Sequence, residues 1–173
     1  MESRLESCLR GTDLIAAIKR AGIRIVVALP DRTTSEHVLK PLLGDPEMRV
    51  IQVCKEDEGV SICAGLYAAG QRALLLMQYT GLLDSANALC HIAVDAKNPV
   101  CMMVGLLKKE PDILPAQSKF YVVRVVEPVL DALQIDHHLI EHPGDVEKIV
   151  PAIEAAYQSS KPVVMLIGRE PQP

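Results

Sequence analysis

A chain of 173 residues, 49% of them hydrophobic, can fill one core but falls short of what two independent domains usually need. Its 18 basic and 22 acidic residues leave a formal charge of -4 with no basic block, and aromatic residues make up only 3%. That balance argues against phosphate-backbone binding and base stacking, so no nucleic-acid partner is expected. Five cysteines (Cys8, Cys54, Cys63, Cys90 and Cys101) are an odd, widely spaced set, mostly in apolar runs, and read as buried, reduced thiols of a cytoplasmic protein. The first residues, "MESRLESCLRGTDL", carry no apolar signal-type core, and no later run approaches membrane-spanning length.

With Thr12 as N-cap, "DLIAAIKRAG" places apolar residues at helical spacing and stops at Gly22. The run "IRIVVAL" that follows is too short for a helix and apolar at nearly every position, like a strand covered on both faces. The alternation then repeats: "SEHVLKPLLG" helical, "MRVIQVC" a strand, Glu56 to Gly70 helical, "RALLLMQ" a strand, "LLDSANALCHIAVDA" helical, "PVCMMVGLL" a strand. A helix near Tyr121 to Leu133, a strand at "HHLI", a helix from Asp145 to Gln158 and a last strand, "PVVMLIG", complete it. Strands alternating with helices predict an α/β domain over 1–173, an open doubly wound, mostly parallel sheet of about six strands with helices on both faces.

In such sheets ligands sit beyond the carboxyl ends of the strands, which selects Pro30 to Ser35, Lys55 to Gly59, Gln78 to Asp84 and Leu107 to Phe120. The last and longest loop reads either as a lid or as a solvated connector, with Lys108 and Lys109 as solubilising charges. No G-x-G-x-x-G, P-loop or G-x-S-x-G pattern is present, which removes the usual support for nucleotide sites and a nucleophilic triad. His137 and His138 are adjacent and point to opposite faces of a strand, so they are not read as a metal pair, and no metal ligands are assigned. Cys54, beside acidic residues that disfavour its thiolate, is read as core.

The stretch "KEDEGVSICAGLYAAG" opens a small-residue helix with three acids. Asp57 and Glu58 are read as favourable charges at a helix N-terminus. Glu56 comes directly off a strand at the ligand end of the sheet, where packing is expected to desolvate its carboxyl and poise it to share a proton. Gly59, Ser61, Ala64, Gly65, Ala68, Ala69 and Gly70 leave little bulk behind it, so a backbone or another subunit can approach closely.

These residues carry a resemblance. The segment resembles the pyrimidine-binding domain of thiamine diphosphate enzymes, where a glutamate leaving the second strand precedes a Gly-Tyr-Ala-like segment, here Gly65-Leu66-Tyr67-Ala68. With "VVALPD", "LLLMQYTGLLDSANAL", "LDALQIDHHLIEHPGD" and "PVVMLIGR" in order, the chain is similar to the sulfopyruvate and phosphonopyruvate decarboxylase family. The resemblance implies that Glu56 hydrogen-bonds N1′ of the cofactor's aminopyrimidine and promotes the tautomer that removes the thiazolium C2 proton. It also implies that Pro30, Gln78, Thr80, Gly81 and Asp84 line the cofactor, although relatives commonly carry Asn at the position of Asp84. Asp31, Arg32 and Thr33 are then substrate contacts, Arg32 through its planar fork to a sulfonate, phosphonate or carboxylate tail. Their other reading is local: Asp31 caps a turn, Arg32 is solvated, and Thr33 starts a helix.

The family's Gly-Asp-Gly motif for Mg²⁺ and diphosphate is missing, since Gly44-Asp45 runs into Pro46 and Gly144-Asp145 into Val146. The resemblance therefore implies an alpha subunit whose separate beta subunit carries the diphosphate and Mg²⁺. The expected substrate is a small anionic 2-oxo acid, sulfopyruvate first and phosphonopyruvate second. The altered long loop and Asp84 keep a non-catalytic subunit as the alternative. A surface built for a partner also predicts self-association of the chain alone.

Overall fold

The structure, a computed structural model, describes residues 8–173; most of the charged opening segment lies outside them. Six parallel strands form one sheet: β1 (Ile25–Ala28), β2 (Arg49–Gln52), β3 (Ala73–Gln78), β4 (Cys101–Gly105), β5 (Asp136–Ile140) and β6 (Val163–Ile167). Their spatial order is β2-β1-β3-β4-β6-β5. The central strands are apolar on both sides because both faces are covered. Val26, Leu74, Met103 and Met165 join one core cluster, and Val27, Leu75, Met102 and Val164 the other. The edge strand β2 is exposed at both ends and only half-buried between.

One face is covered by α1 (Gly11–Arg20), a wide π-helical turn at Ser35–Leu39 running into α2 (Lys40–Gly44), and α7 (Ile149–Ser159). The other is covered by α3 (Glu56–Ala68), α4 (Tyr79–Asp84), a helical stretch made of α5 (Ala86–Ala88) and a π-helical segment at Leu89–Asp95, and α6 (Tyr121–Ala132). Helix α1 begins before Thr12, with Arg10 as its N-cap, because the Gly11 N–H donates to Gln172 O at 2.8 Å and Arg10 bridges the C-terminal tail. Gly22 does end it, at φ 75°. The loop expected over Gln78 to Asp84 is helical from Tyr79, and the helix expected from Asp145 is a 3₁₀ turn (Pro143–Lys148) followed by α7.

Chain order and spatial order disagree at two places. The chain leaves β1 toward one face and β3 toward the other, so the carboxyl ends of β1 and β3 flank a crevice. A second reversal lies at β4 and β6, since the chain passes from β4 through α6 to the outer strand β5 and returns through α7 to β6. Among the described residues no helix is long and apolar enough to cross a membrane.

Candidate functional site

The three acids at the start of α3 have separate fates. The Glu58 carboxylate accepts the N–H groups of Cys54 and Lys55 at 3.1 and 3.3 Å, reaching back over the donors that the first helical turn leaves unpaired. Asp57 accepts the Glu58 N–H at 2.9 Å and lies 3.5 Å from Lys55 Nζ. Glu56, half-buried, accepts no hydrogen bond and makes no ion pair among the described residues. Its side chain lies against the backbone of Gly81, where a methyl would overlap Glu56 Cγ, Cδ and Oε1. This places a carboxylate with open acceptor sites between the exits of β2 and β3, with Gly81 beside it.

The chain passes from β3 straight into α4, and the junction is tied to itself: Gln78 Nε2 donates to Thr80 Oγ1 at 2.9 Å, Gly81 is buried, and Thr80 is exposed. Asp84 ends α4 exposed to solvent, with its carboxylate 3.9 Å from Lys55 Nζ, so Lys55 links the start of α3 to the end of α4.

The loop after β1 is shaped by Asp31. Its Oδ1 accepts the N–H groups of Thr33 and Thr34 at 2.5 and 2.9 Å, its Oδ2 accepts the Thr34 hydroxyl, and its own N–H donates to Ser35 Oγ at 2.9 Å. Asp31 is buried, and this desolvation pushes its carboxyl above the ordinary aspartate range against the opposing pull of its donors on Thr34 and Thr33. Both carboxylate oxygens are engaged inside the loop, which is the turn-capping alternative. Thr33 is buried and rests on Gly105 at the end of β4, where a methyl would come within 2.7 Å of Thr33 Cβ and 2.8 Å of Asp31 Oδ1. Gly105 thus lets the β1 loop cross the end of β3 and settle on β4. Arg32 and Pro30 are exposed, and Arg32 makes no hydrogen bond or ion pair with any described residue.

The loop from Leu107 to Phe120 is anchored. Lys109, expected to be solvated, is fully buried and donates to both Glu141 carboxylate oxygens at 2.8 and 2.9 Å and to Glu110 O at 2.9 Å. Glu141 also accepts the Asp112 N–H at 3.0 Å, while Glu110 is bound by Ser118 Oγ at 2.7 Å. Cys54 is exposed and not core; Cys63 and Cys101 are buried, and burial holds the Cys63 thiol at about 12. The two histidines of β5 are both half-buried, with burial lowering His138. Among the described residues no group of three or more His, Cys, Asp or Glu is arranged to hold a metal ion.

Three groups at this end of the sheet escaped the reading of the sequence: Gly105, the Lys109–Glu141 pair, and Arg169, which directly follows Gly168 after β6. Arg169 donates from Nη2 to Asp112 Oδ1 at 3.0 Å, while its Nε is buried without a partner among the described residues. The rule that ligands gather at strand ends, applied to the last strand as to the others, singles out Arg169.

The chain is 27% identical over 151 residues to the sulfopyruvate decarboxylase subunit alpha of Methanocaldococcus jannaschii, covering 87% of this chain and 88% of that one. It is 29% identical over 153 residues to the subunit alpha of Methanothermobacter thermautotrophicus, covering 88% and 91%. It is 30% identical over 162 residues to the sulfopyruvate decarboxylase of Methanosarcina acetivorans, covering 90% of this chain but 39% of that longer protein. Among solved structures, the 2-oxoglutarate:ferredoxin oxidoreductase from Magnetococcus marinus superposes with a TM-score of 0.66 at 15% identity, over 93% of this chain and 29% of that one. That likeness is one of fold. No family model matches the chain. The resemblance carried by the motif segments therefore extends over nearly the whole chain as similarity to sulfopyruvate decarboxylase alpha subunits.

Proposed function

We propose that this chain, as one domain, is the pyrimidine-side subunit of a two-component, thiamine diphosphate- and Mg²⁺-dependent decarboxylase of a small anionic 2-oxo acid, with sulfopyruvate as first substrate and phosphonopyruvate as runner-up. The observation that carries it is Glu56: a carboxylate without a donor among the described residues, held against a glycine at the ligand end of a doubly wound sheet. The names of the full-length relatives, all alpha subunits, support the division of labour.

The residues present fit the pyrimidine end of the cofactor. Gly81 keeps the space beside Glu56 free of side chain, and Glu56 Oε1 and Oε2 retain acceptor capacity for a ring N–H. When bound, thiamine diphosphate supplies the electron sink for loss of carbon dioxide. Glu56 would hold a proton on the ring nitrogen it faces, and Gln78, Thr80 and Gly81 would form the wall beside that ring. Lys55 Nζ lies 3.5 Å from Asp57 and 3.9 Å from Asp84, so a cation sits beside both of these acids. Mg²⁺ and the diphosphate would be held by the partner subunit. On α3, Ser61, Gly65, Ala68 and Ala69 form an exposed strip of small residues that a partner helix can approach closely.

The test is reconstitution of the chain with its beta-type partner, thiamine diphosphate and Mg²⁺, measuring carbon dioxide release from sulfopyruvate and from phosphonopyruvate. Activity should appear only in the mixture and should fall by about 10²-fold or more in Glu56→Gln. Full activity in that variant sinks the mechanism, and no activity with either acid favours a non-catalytic subunit.

A further inference from the structure

A cavity of about 320 Å³ opens where the carboxyl ends of β4 and β6 diverge, roofed by the β1 loop; Arg32, Thr33, Lys108, Gly168, Arg169 and Glu170 contribute to its lining. Cationic residues from three separate strand exits, Arg32, Lys108 and Arg169, line one small space together with the acid Glu170. Their neighbours leave them unequally neutralised. The buried Lys109 below them is matched by Glu141. Arg169 is half matched: one Nη is bound by Asp112 at 3.0 Å, and Nε is buried without an acceptor among the described residues. Arg32 has no partner among the described residues, and the Lys108 ammonium lies 5.7 Å over the Phe120 ring.

Arg32 and Arg169 each bring a planar fork to the cavity lining, and such a fork matches an oxyanion in two places. The backbone is fitted to this approach. A methyl at Gly168 would come within 2.8 Å of Leu139 Cδ1 and 3.3 Å of Lys109 Cε, and Gly105 seats Thr33 over the cavity floor. The site lies at the second reversal of strand order, one to two strands from β3 and Gly81, which is roughly 5–10 Å along the sheet.

We propose that this cavity is the subsite for the oxyanion tail of the substrate, with Arg32 and Arg169 as its specificity-determining residues and a tetrahedral sulfonate or phosphonate as its ligand class. The assignment rests on the proposed decarboxylase function for the identity of the substrate, whereas anion binding itself does not depend on it. Arg32 arrives on the loop that Asp31 caps, Arg169 is fixed by Asp112, and both residues line the same cavity.

The experiment is a titration of the full chain with sulfoacetate at constant ionic strength, followed by the Arg Nε–H and backbone amide resonances. The Arg169 Nε–H signal should shift and saturate, together with the amides of Thr33 and Gly168, and sodium chloride should not reproduce the shift. Arg32→Gln, on an exposed side chain without partners, and Arg169→Lys, which keeps the charge beside Asp112 but removes Nε–H, should each weaken binding about 10-fold. Lys161→Gln, at the amino end of the sheet, should bind as the parent does. An unmoved Arg169 Nε–H, or unchanged affinity in both Arg variants, overturns the subsite. In the reconstituted complex, Arg32→Gln should lower kcat/KM for sulfopyruvate far more than for pyruvate, and equal losses overturn its specificity role. Saturable anion binding by a chain that never supports decarboxylation would reject the enzyme reading and leave the anion site standing.

Discussion

The Glu56 side chain occupies the space that a Cβ of residue 81 would need: a methyl on Gly81 would overlap its Cγ, Cδ and Oε1. The glutamate and the glycine come from different strand exits, so the placement of the carboxylate depends on the absence of a side chain 25 residues away, counting from 56 to 81. Gly81→Ala is expected to push the carboxylate aside, and a displacement near 1 Å costs on the order of 10²-fold in rate. Steady-state kinetics of the reconstituted complex, beside a thermal melt of the chain alone, should show a large activity loss with a stability loss of about 1–3 kcal/mol. Wild-type activity in Gly81→Ala would contradict the role given to Glu56.

Asp31 organises the β1 loop through three accepted hydrogen bonds, so Asp31→Ala leaves two N–H groups and a hydroxyl without their acceptor. A loss of about 2–4 kcal/mol in urea unfolding is expected. The pH dependence has a definite sign. Burial raises the folded-state value above the ordinary 3.8, so the native state holds this proton more tightly than the unfolded chain. The contribution is fully present below pH 3.8 and is lost as pH rises through the raised folded value. Asp31→Asn should remove that component of the stability profile above pH 3.8, and an identical profile in the two proteins would count against the assignment.

The Lys109–Glu141 pair is buried on both sides and joins the long loop to the end of β5. Lys109→Met strands a carboxylate in the interior and is expected to cost about 3–5 kcal/mol. In Lys109→Met/Glu141→Leu most of that loss should return, since neither charge then remains unpaired. Hydrogen exchange should show the amides of the Leu107 to Phe120 loop losing protection in the single variant. Equal stability of the single variant and the parent would show that the pair does not anchor the loop.

Gly65 lies on the exposed strip of α3, and a methyl there meets nothing within 4 Å. In the isolated chain Gly65→Ala should therefore raise stability by about 0.5–1 kcal/mol through helix propensity and a smaller unfolded-state entropy. Gly65→Trp should leave the chain folded but weaken its association with the partner subunit, measured by sedimentation of the mixture. The same sedimentation run on the parent alone is expected to show self-association, and a clean monomer would remove that part of the reading.

The architecture was legible because it rests on periodicity. Runs such as "ALLLMQ" and "VVMLI" are apolar at nearly every position and too short for a helix, which fits a strand buried on both faces; Leu74 and Leu75 indeed enter opposite core clusters. Gly22 likewise announced the end of α1, because a positive φ favours glycine. The position of Glu56 at the ligand end followed from strand order in the chain alone. What the sequence could not distinguish was the division of labour among Glu56, Asp57 and Glu58, since all three suit a helix N-terminus equally well. Tertiary structure decided it: Glu58 turns back onto Cys54 and Lys55, while Glu56 meets Gly81. It also decided that Lys109 is buried and that Arg169 keeps an unpaired Nε, because their partners Glu141 and Asp112 lie 32 and 57 residues away. Hydrophobic spacing is a local signal and determines which faces are covered. Charge pairing across strand exits is a product of the sheet's order, and only the folded chain sets it.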